Sequence, residues 1–246
     1  MVSDIPVIEM YVENPVRKLP MVIIVHGFTD SKEQILSHTY YFAKEGYFTV
    51  AFDACNHGEP ETKQFGQFSY YEKGSHLFEI INKSSKCIDR MIEDYGGNHQ
   101  ADNDRIALIG FSMGGMIVYD YVLKSKSLKI KTAISIIATA VWGNPLRRDI
   151  AQYPDFAKYF DERKIVEIEG QQPSNFIENM KDFPLLMLNA ELDEKMPIEN
   201  VRWVYNEIRK RYTNKDLIKF VEYKGIGHTT TPQMLSEATK WIKKYV

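Results

Sequence analysis

A chain of 246 residues, 44% of them hydrophobic, can build one substantial core without disulfide staples. Its 31 basic and 33 acidic residues leave a formal charge of −2 with no basic run or stripe, which argues against nucleic acid and anionic membrane surfaces and favours a small-molecule partner. Cys55 and Cys87 are the only cysteines, Met1 to Pro6 lacks a basic segment followed by an apolar run, and no roughly eighteen-residue uncharged apolar stretch occurs, so a cytoplasmic, soluble protein without membrane association is expected.

Ile5 to Val12 alternates in hydrophobicity and predicts an antiparallel edge strand. Strand-like apolar runs follow at Met21 to Val25, Phe48 to Phe52, Ile106 to Ile109, Thr132 to Ile137, Leu185 to Leu188 and Leu217 to Val221, most of them continuous rather than alternating. Continuous runs suit strands buried on both faces, the condition of a parallel sheet covered by helices. Between them, Ser31 and Gln34 have capping-box spacing before a helix that Gly46 can end. A second helix is predicted over Tyr71 to Tyr95, a third after Ser112 and a fourth from near Pro197. The last helix has Thr231 as its cap and Pro232 at its first position. The alternation predicts a mostly parallel, doubly wound α/β sheet in a single domain spanning residues 1–246. Residues 140–182 break the rhythm with Pro145, Pro154, Pro173 and many aromatics, and are expected to form a small helical cap insertion.

The most informative segment is Gly110-Phe111-Ser112-Met113-Gly114-Gly115, a Gly-x-Ser-x-Gly sequence set between a strand-like and a helix-like stretch. That context suits a sharp strand-to-helix turn presenting a serine, with glycines where side chains would collide. A serine hydroxyl is a poor nucleophile at neutral pH, so the chain must supply a base, a group to orient it and donors for an oxyanion. His228 lies in the glycine-flanked loop Gly225 to Thr230 after the last strand. An imidazole there can take the serine proton and return it. Asp193 follows the strand Leu185 to Leu188 and is the orienting acid, with Glu191 and Glu194 as neighbouring competitors. His26-Gly27-Phe28 ends the first core strand, so the amides of Phe28 and Met113 are the expected oxyanion donors. His26 is read as a strand-end residue bonded to backbone, Asp53 as an anchor of its loop, and His57 as the alternative base. The histidines lack metal-ligand spacing and no phosphate-cradling glycine loop occurs, so neither metal nor cofactor is expected.

With these pieces the chain resembles the α/β-hydrolase superfamily, and within it the small serine esterases related to the catalytic domains of dienelactone hydrolase and prolyl oligopeptidase. The resemblance rests on His26 to Thr29, Asp53 to Gly58, Gly110 to Gly115, Asp193 to Pro197 and Gly227-His228. It implies Ser112 as nucleophile, Asp193 as acid, His228 as base and the Phe28 and Met113 amides as the oxyanion hole. A serine where true dienelactone hydrolases carry cysteine argues against that substrate. Ala190 stands where relatives often have glycine. The expected reaction is hydrolysis of carboxylic esters with small to medium acyl groups through an acyl-enzyme, with Phe28, Phe111, Met113 and Trp142 lining the pocket. The same triad could instead serve a thioesterase, an acyltransferase or perhydrolase, or a small-peptide hydrolase, and an inactive binding module is the non-enzymatic alternative. The natural substrate and the oligomeric state are not legible.

Overall fold

The computed structural model describes residues 2, 4–98 and 100–246. Seven strands form one sheet: β1 (Val7–Met10), β2 (Leu19–Val25), β3 (Phe48–Phe52), β4 (Ala101–Phe111), β5 (Thr132–Ile136), β6 (Leu185–Ala190) and β7 (Ile218–Tyr223). Their order is β1-β3-β2-β4-β5-β6-β7, and every pairing is parallel except that of β1 with β3. The helices are α1 (Leu36–Lys44), α2 (Lys63–Gly66), α3 (Tyr70–Gly74), α4 (Leu77–Asp94), α5 (Met113–Lys124), α6 (Gly143–Gln152), α7 (Pro154–Ala157), α8 (Glu162–Gln171), α9 (Ile198–Arg211) and α10 (Pro232–Tyr245).

The continuous apolar strands are explained by two separate cores. Met21, Ile23 and Val25 of β2 face the cluster built with Ile81 and Met91 of α4, Ile117 of α5 and Val204 of α9. Val22 and Ile24 face the opposite cluster, with Phe42 of α1 and Met234 and Ile242 of α10. Successive residues of a strand point to opposite faces, so both sets must be apolar. Among the described residues no helix is long and apolar enough to cross a membrane.

Two expected helices differ in the fold. The Ser31 hydroxyl donates to Glu33 Oε2 instead of capping, and residues 31–35 turn before α1 begins at Leu36. A tertiary tie explains this: both the backbone N–H and the ammonium of Lys32 donate to Asp53, at 2.9 and 2.7 Å, and hold the segment off the helix axis. Gly46, at φ +92°, ends the helix as expected. The Tyr71 to Tyr95 stretch splits into α3 and α4. Ser69 caps α3 by accepting from the Glu72 N–H, and the Ser75 hydroxyl donates to the Glu72 carbonyl where α3 stops. The region 140–182 holds α6, α7 and α8, followed by a 3-10 segment over Pro173–Asn179.

At one end of the sheet, β7 is fastened to α9 by charge. Glu222 receives two hydrogen bonds from Arg202, at 2.9 and 2.7 Å, and one from Lys224 at 2.6 Å. The Arg202 guanidinium and then the Lys224 ammonium hold the Glu222 carboxyl down at about 2, against an ordinary value of 4.5. A depressed carboxyl stabilises the fold above its unfolded-state pKa and loses that contribution as pH falls through its folded value. Glu222→Gln should therefore cost about 1 to 2 kcal/mol at neutral pH, with solvent screening of the two partly exposed cations keeping it at the lower end. The penalty, read by urea denaturation, should shrink as pH drops from 4.5 toward 2. A penalty independent of pH would assign the loss to packing.

Candidate active site

Ser112 stands at the junction of β4 and α5 with φ 53° and ψ −114°, a backbone conformation that side-chain-bearing residues rarely adopt. The flanking glycines make the junction possible. A Cβ on Gly110 would lie 2.0 Å from the Gly114 carbonyl oxygen, and one on Gly114 would lie 2.2 Å from that of Val25. No real side chain tolerates such contacts, so the sharp turn and its tight packing under β2 require glycine at both places.

The turn brings Ser112 to residues more than eighty positions away. Ser112 Oγ lies 2.9 Å from His228 Nε2, and His228 Nδ1 lies 2.7 Å from Asp193 Oδ2. The other Asp193 oxygen accepts from the Lys195 and Met196 amides, at 3.0 and 2.9 Å. The carboxylate is fully buried, while the imidazole keeps 17% of its side chain exposed at the cleft. An N–H on Nδ1 directed at a fixed carboxylate leaves the Nε2 lone pair facing the hydroxyl, the tautomer a general base needs.

The two loops carrying Asp193 and His228 are zipped together. The Glu191 and Leu192 amides donate to the Tyr223 and Ile226 carbonyls at 2.9 and 2.8 Å, and the Gly225 amide donates to the Glu191 carboxylate at 3.0 Å. Lys224 adds a bridge between Glu191 and Glu222. Glu191 is thus occupied in fastening the acid loop to the base loop, and Glu194 lines the cleft beyond it.

The His26-Gly27-Phe28 loop lies beside the nucleophile: a Cβ on Gly27 would be 3.7 Å from Ser112 Cβ. His26 Nδ1 donates to the Gly27 carbonyl at 2.7 Å and Nε2 accepts from the Ala54 amide at 3.0 Å. Its burial holds it below the ordinary histidine range, so it is a neutral strut, as the sequence suggested. Among the described residues, neither the Phe28 nor the Met113 amide is taken by a hydrogen bond. Both are available to an incoming oxygen. Asp53 anchors its loop by accepting from Lys32 and from the Glu59 amide. Burial opposes the Lys32 charge, but hydrogen bonds to Asp53, Glu33 and Glu59 outweigh it and keep the ammonium above the usual range. His57 is buried behind Phe28, 5.5 Å between ring centres, with its Nδ1 donating to the Cys55 carbonyl, and the imidazole that meets Ser112 Oγ is that of His228.

Ser112 opens into a cleft of about 1310 Å³ bordered by Phe28, Phe111, Met113 and Trp142 together with His228 and Asp193. Trp142 is almost wholly buried, packed against Phe78 at 5.1 Å and under the Lys124 ammonium at 4.9 Å. Sequence reasoning missed the wall made by α3: Tyr70 stacks edge-on to Phe28 at 5.9 Å, and Tyr71 meets Tyr153 at 5.8 Å. Nothing in the helical periodicity of Tyr71 to Tyr95 marks this wall. Across the cleft, Arg148 of α6 donates to the Glu194 carbonyl at 2.5 Å. Among the described residues no group of three or more His, Cys, Asp or Glu side chains is arranged to hold a metal ion.

A family model described as serine aminopeptidase, S33 (Hydrolase_4), matches residues 17–174. YitV of Bacillus subtilis (strain 168) is 24% identical over 100% of this chain and 97% of its own length. The esterase YjfP of Escherichia coli (strain K12) is 21% identical over 99% of this chain and 96% of its own. Among solved structures, an acetyl xylan esterase from Paenibacillus sp. R4 superposes with a TM-score of 0.74 at 16% identity, over 98% of this chain and 80% of that one.

The strain at residue 112 is measurable without any substrate. Glycine adopts the observed conformation freely, whereas alanine keeps the penalty, so Ser112→Gly should be about 1 kcal/mol more stable than Ser112→Ala despite glycine's larger unfolded-state entropy. An alanine variant at least as stable as the glycine variant in urea denaturation would show that the turn is unstrained.

Proposed function

Since the chain belongs to the serine aminopeptidase S33 (Hydrolase_4) family and carries an α/β-hydrolase fold, we propose that it is a serine carboxylesterase acting on esters of small to medium acyl groups. In this reading Ser112 Oγ attacks the ester carbonyl while His228 Nε2 takes its proton. Asp193 fixes the imidazole and stabilises the imidazolium that forms. The Phe28 and Met113 amides receive the negative charge that develops on the carbonyl oxygen, a contribution of about 10² to 10³ in turnover per donor. Collapse of the tetrahedral species expels the alcohol, which leaves with the proton held on His228. Water then enters by the same route and attacks the acyl carbonyl as its proton passes to His228; the bond to Ser112 Oγ breaks, His228 returns the proton to that oxygen, and the acyl group departs as a carboxylic acid.

The observation that carries this reading is the unbroken hydrogen-bonded line from Ser112 through His228 to Asp193 beside two free amides. The name of YjfP as an esterase supports ester over amide substrates. We further propose that α6 to α8 act as a cap on the same single domain, with Phe28, Phe111, Met113 and Trp142 lining the pocket for the acyl and alcohol parts of the ester.

A fluorophosphonate probe should label the wild-type chain and fail on Ser112→Ala; persistent labelling would move the nucleophile elsewhere. Asp193→Asn should lower kcat by about 10³ to 10⁴ through loss of the imidazole tautomer, with KM little changed. Across p-nitrophenyl acetate, butyrate, octanoate and palmitate, kcat/KM should be highest for the shorter acyl groups. An aminoacyl p-nitroanilide, included because the family description names aminopeptidases, should turn over more slowly than any of the short esters.

A further inference from the structure

Two polar groups of the cleft have no role in the chemistry above. Asp30 follows the oxyanion loop, and a Cβ on Gly27 would lie 3.0 Å from Asp30 Oδ2 and 3.7 Å from Ser112 Cβ, which sets this carboxylate beside the nucleophile. Among the described residues it makes no ion pair or hydrogen bond. His38 of α1 lies on Phe111, the residue before the nucleophile, with ring centres 4.6 Å apart, and it also borders the cleft. Its Nδ1 is buried without a hydrogen-bond partner. Burial holds this imidazole below the ordinary histidine range, with the Asp30 charge opposing, so it is neutral at neutral pH.

A buried nitrogen without a partner costs least as a lone pair, which puts the ring proton on Nε2. His38 then offers a donor and Asp30 an acceptor. A hydroxyl group, which both donates and accepts, matches this pair, while a quaternary ammonium, which does neither, satisfies neither group by hydrogen bonding. The sheet divides the cleft accordingly. Met113, Met116, Val141 and Trp142 belong to the core of α4 and α5 and give an apolar wall, whereas Phe111, under His38, belongs to the core of α1 and α10. His228 precedes α10 and must reach the leaving oxygen, so the alcohol part lies on the side of α1 and the acyl part on the apolar wall.

We propose that Asp30 and His38 form a specificity pocket for a hydroxyl group on the alcohol part of the ester, so that the chain favours partial esters of polyols over esters of simple alkanols. This rests on the esterase reading above. A simple alkyl group placed there would strip water from both polar groups and return no hydrogen bond.

The test compares kcat/KM for glyceryl monoacetate and n-propyl acetate, which share acyl group and carbon count, with acetylcholine as a cationic third substrate. Wild type should prefer glyceryl monoacetate by about tenfold, chiefly through KM. Asp30→Leu and His38→Phe should each bring that ratio to within about twofold of unity. Equal rates on the two acetates in wild type, an equal loss on both in the variants, or faster turnover of acetylcholine than of glyceryl monoacetate each overturn the proposal. Fluorophosphonate labelling of Ser112 is read alongside. Normal labelling and propyl acetate turnover with a flat ratio remove the hydroxyl pocket alone, whereas no labelling and no turnover overturn the esterase reading and this pocket with it.

Discussion

The cleft depends on how closely α5 can approach the end of β2. Gly114 sits under the Val25 carbonyl and Gly110 under that of Gly114, at distances that admit no side chain. This contact holds Ser112 in its strained conformation, and the surrounding buried strands over-determine the bend that a free peptide would relax. The same approach fixes the spacing between the helix start and the loop after β2. The Phe28 amide on that loop and the Met113 amide at the helix start, neither hydrogen-bonded among the described residues, are therefore held at a spacing set by core packing.

Much of the fold was legible because the sheet imposes a simple demand on composition. A strand covered on both faces must be apolar at nearly every position, and Met21 to Val25 meets this throughout while Phe48 to Phe52 departs from it only at the buried Thr49. Boundaries were lost where tertiary contacts overrode local chemistry. Ser31 and Gln34 have the spacing of a cap, yet the pull of Asp53 on Lys32 moves the helix start to Leu36. The Tyr71 to Tyr95 pattern carries helical periodicity throughout, and only the short hydrogen bond of Ser75 back to Glu72 ends α3. Ser112, His228 and Asp193 were legible because each follows a strand at the same edge of a parallel sheet. Asp30, His38 and Tyr70 carry no pattern in the chain. Their place at the cleft is set by loop paths and by the break between α3 and α4, which periodicity does not encode.

The loops around the cleft are held by different kinds of force. The loops carrying Asp193 and His228 are joined by backbone hydrogen bonds that extend the β6 and β7 pairing, reinforced at the surface by Lys224 and Glu191. The segment after β2 is tied to the loop after β3 by Lys32, which is almost fully buried and wrapped by the carboxylates of Glu33, Asp53 and Glu59. A buried pair of this type is a weak source of net stability, but removal of one partner leaves a charge stranded away from water. Gly58, at φ +58° and pressed against the Asp53 carboxylate, shows how closely the neighbouring loop is drawn in.

The sheet has two margins, β1 and β7, and they are treated differently. The antiparallel β1 is only four residues long, while β7 carries Lys219 and Glu222, each tied to a partner on a flanking helix. Brevity on one side and tethered charge on the other leave little backbone on which a stray strand could template itself. A chain whose six parallel strands must assemble through long-range contacts spends time partly folded, so blunted margins protect it from aggregating in that interval.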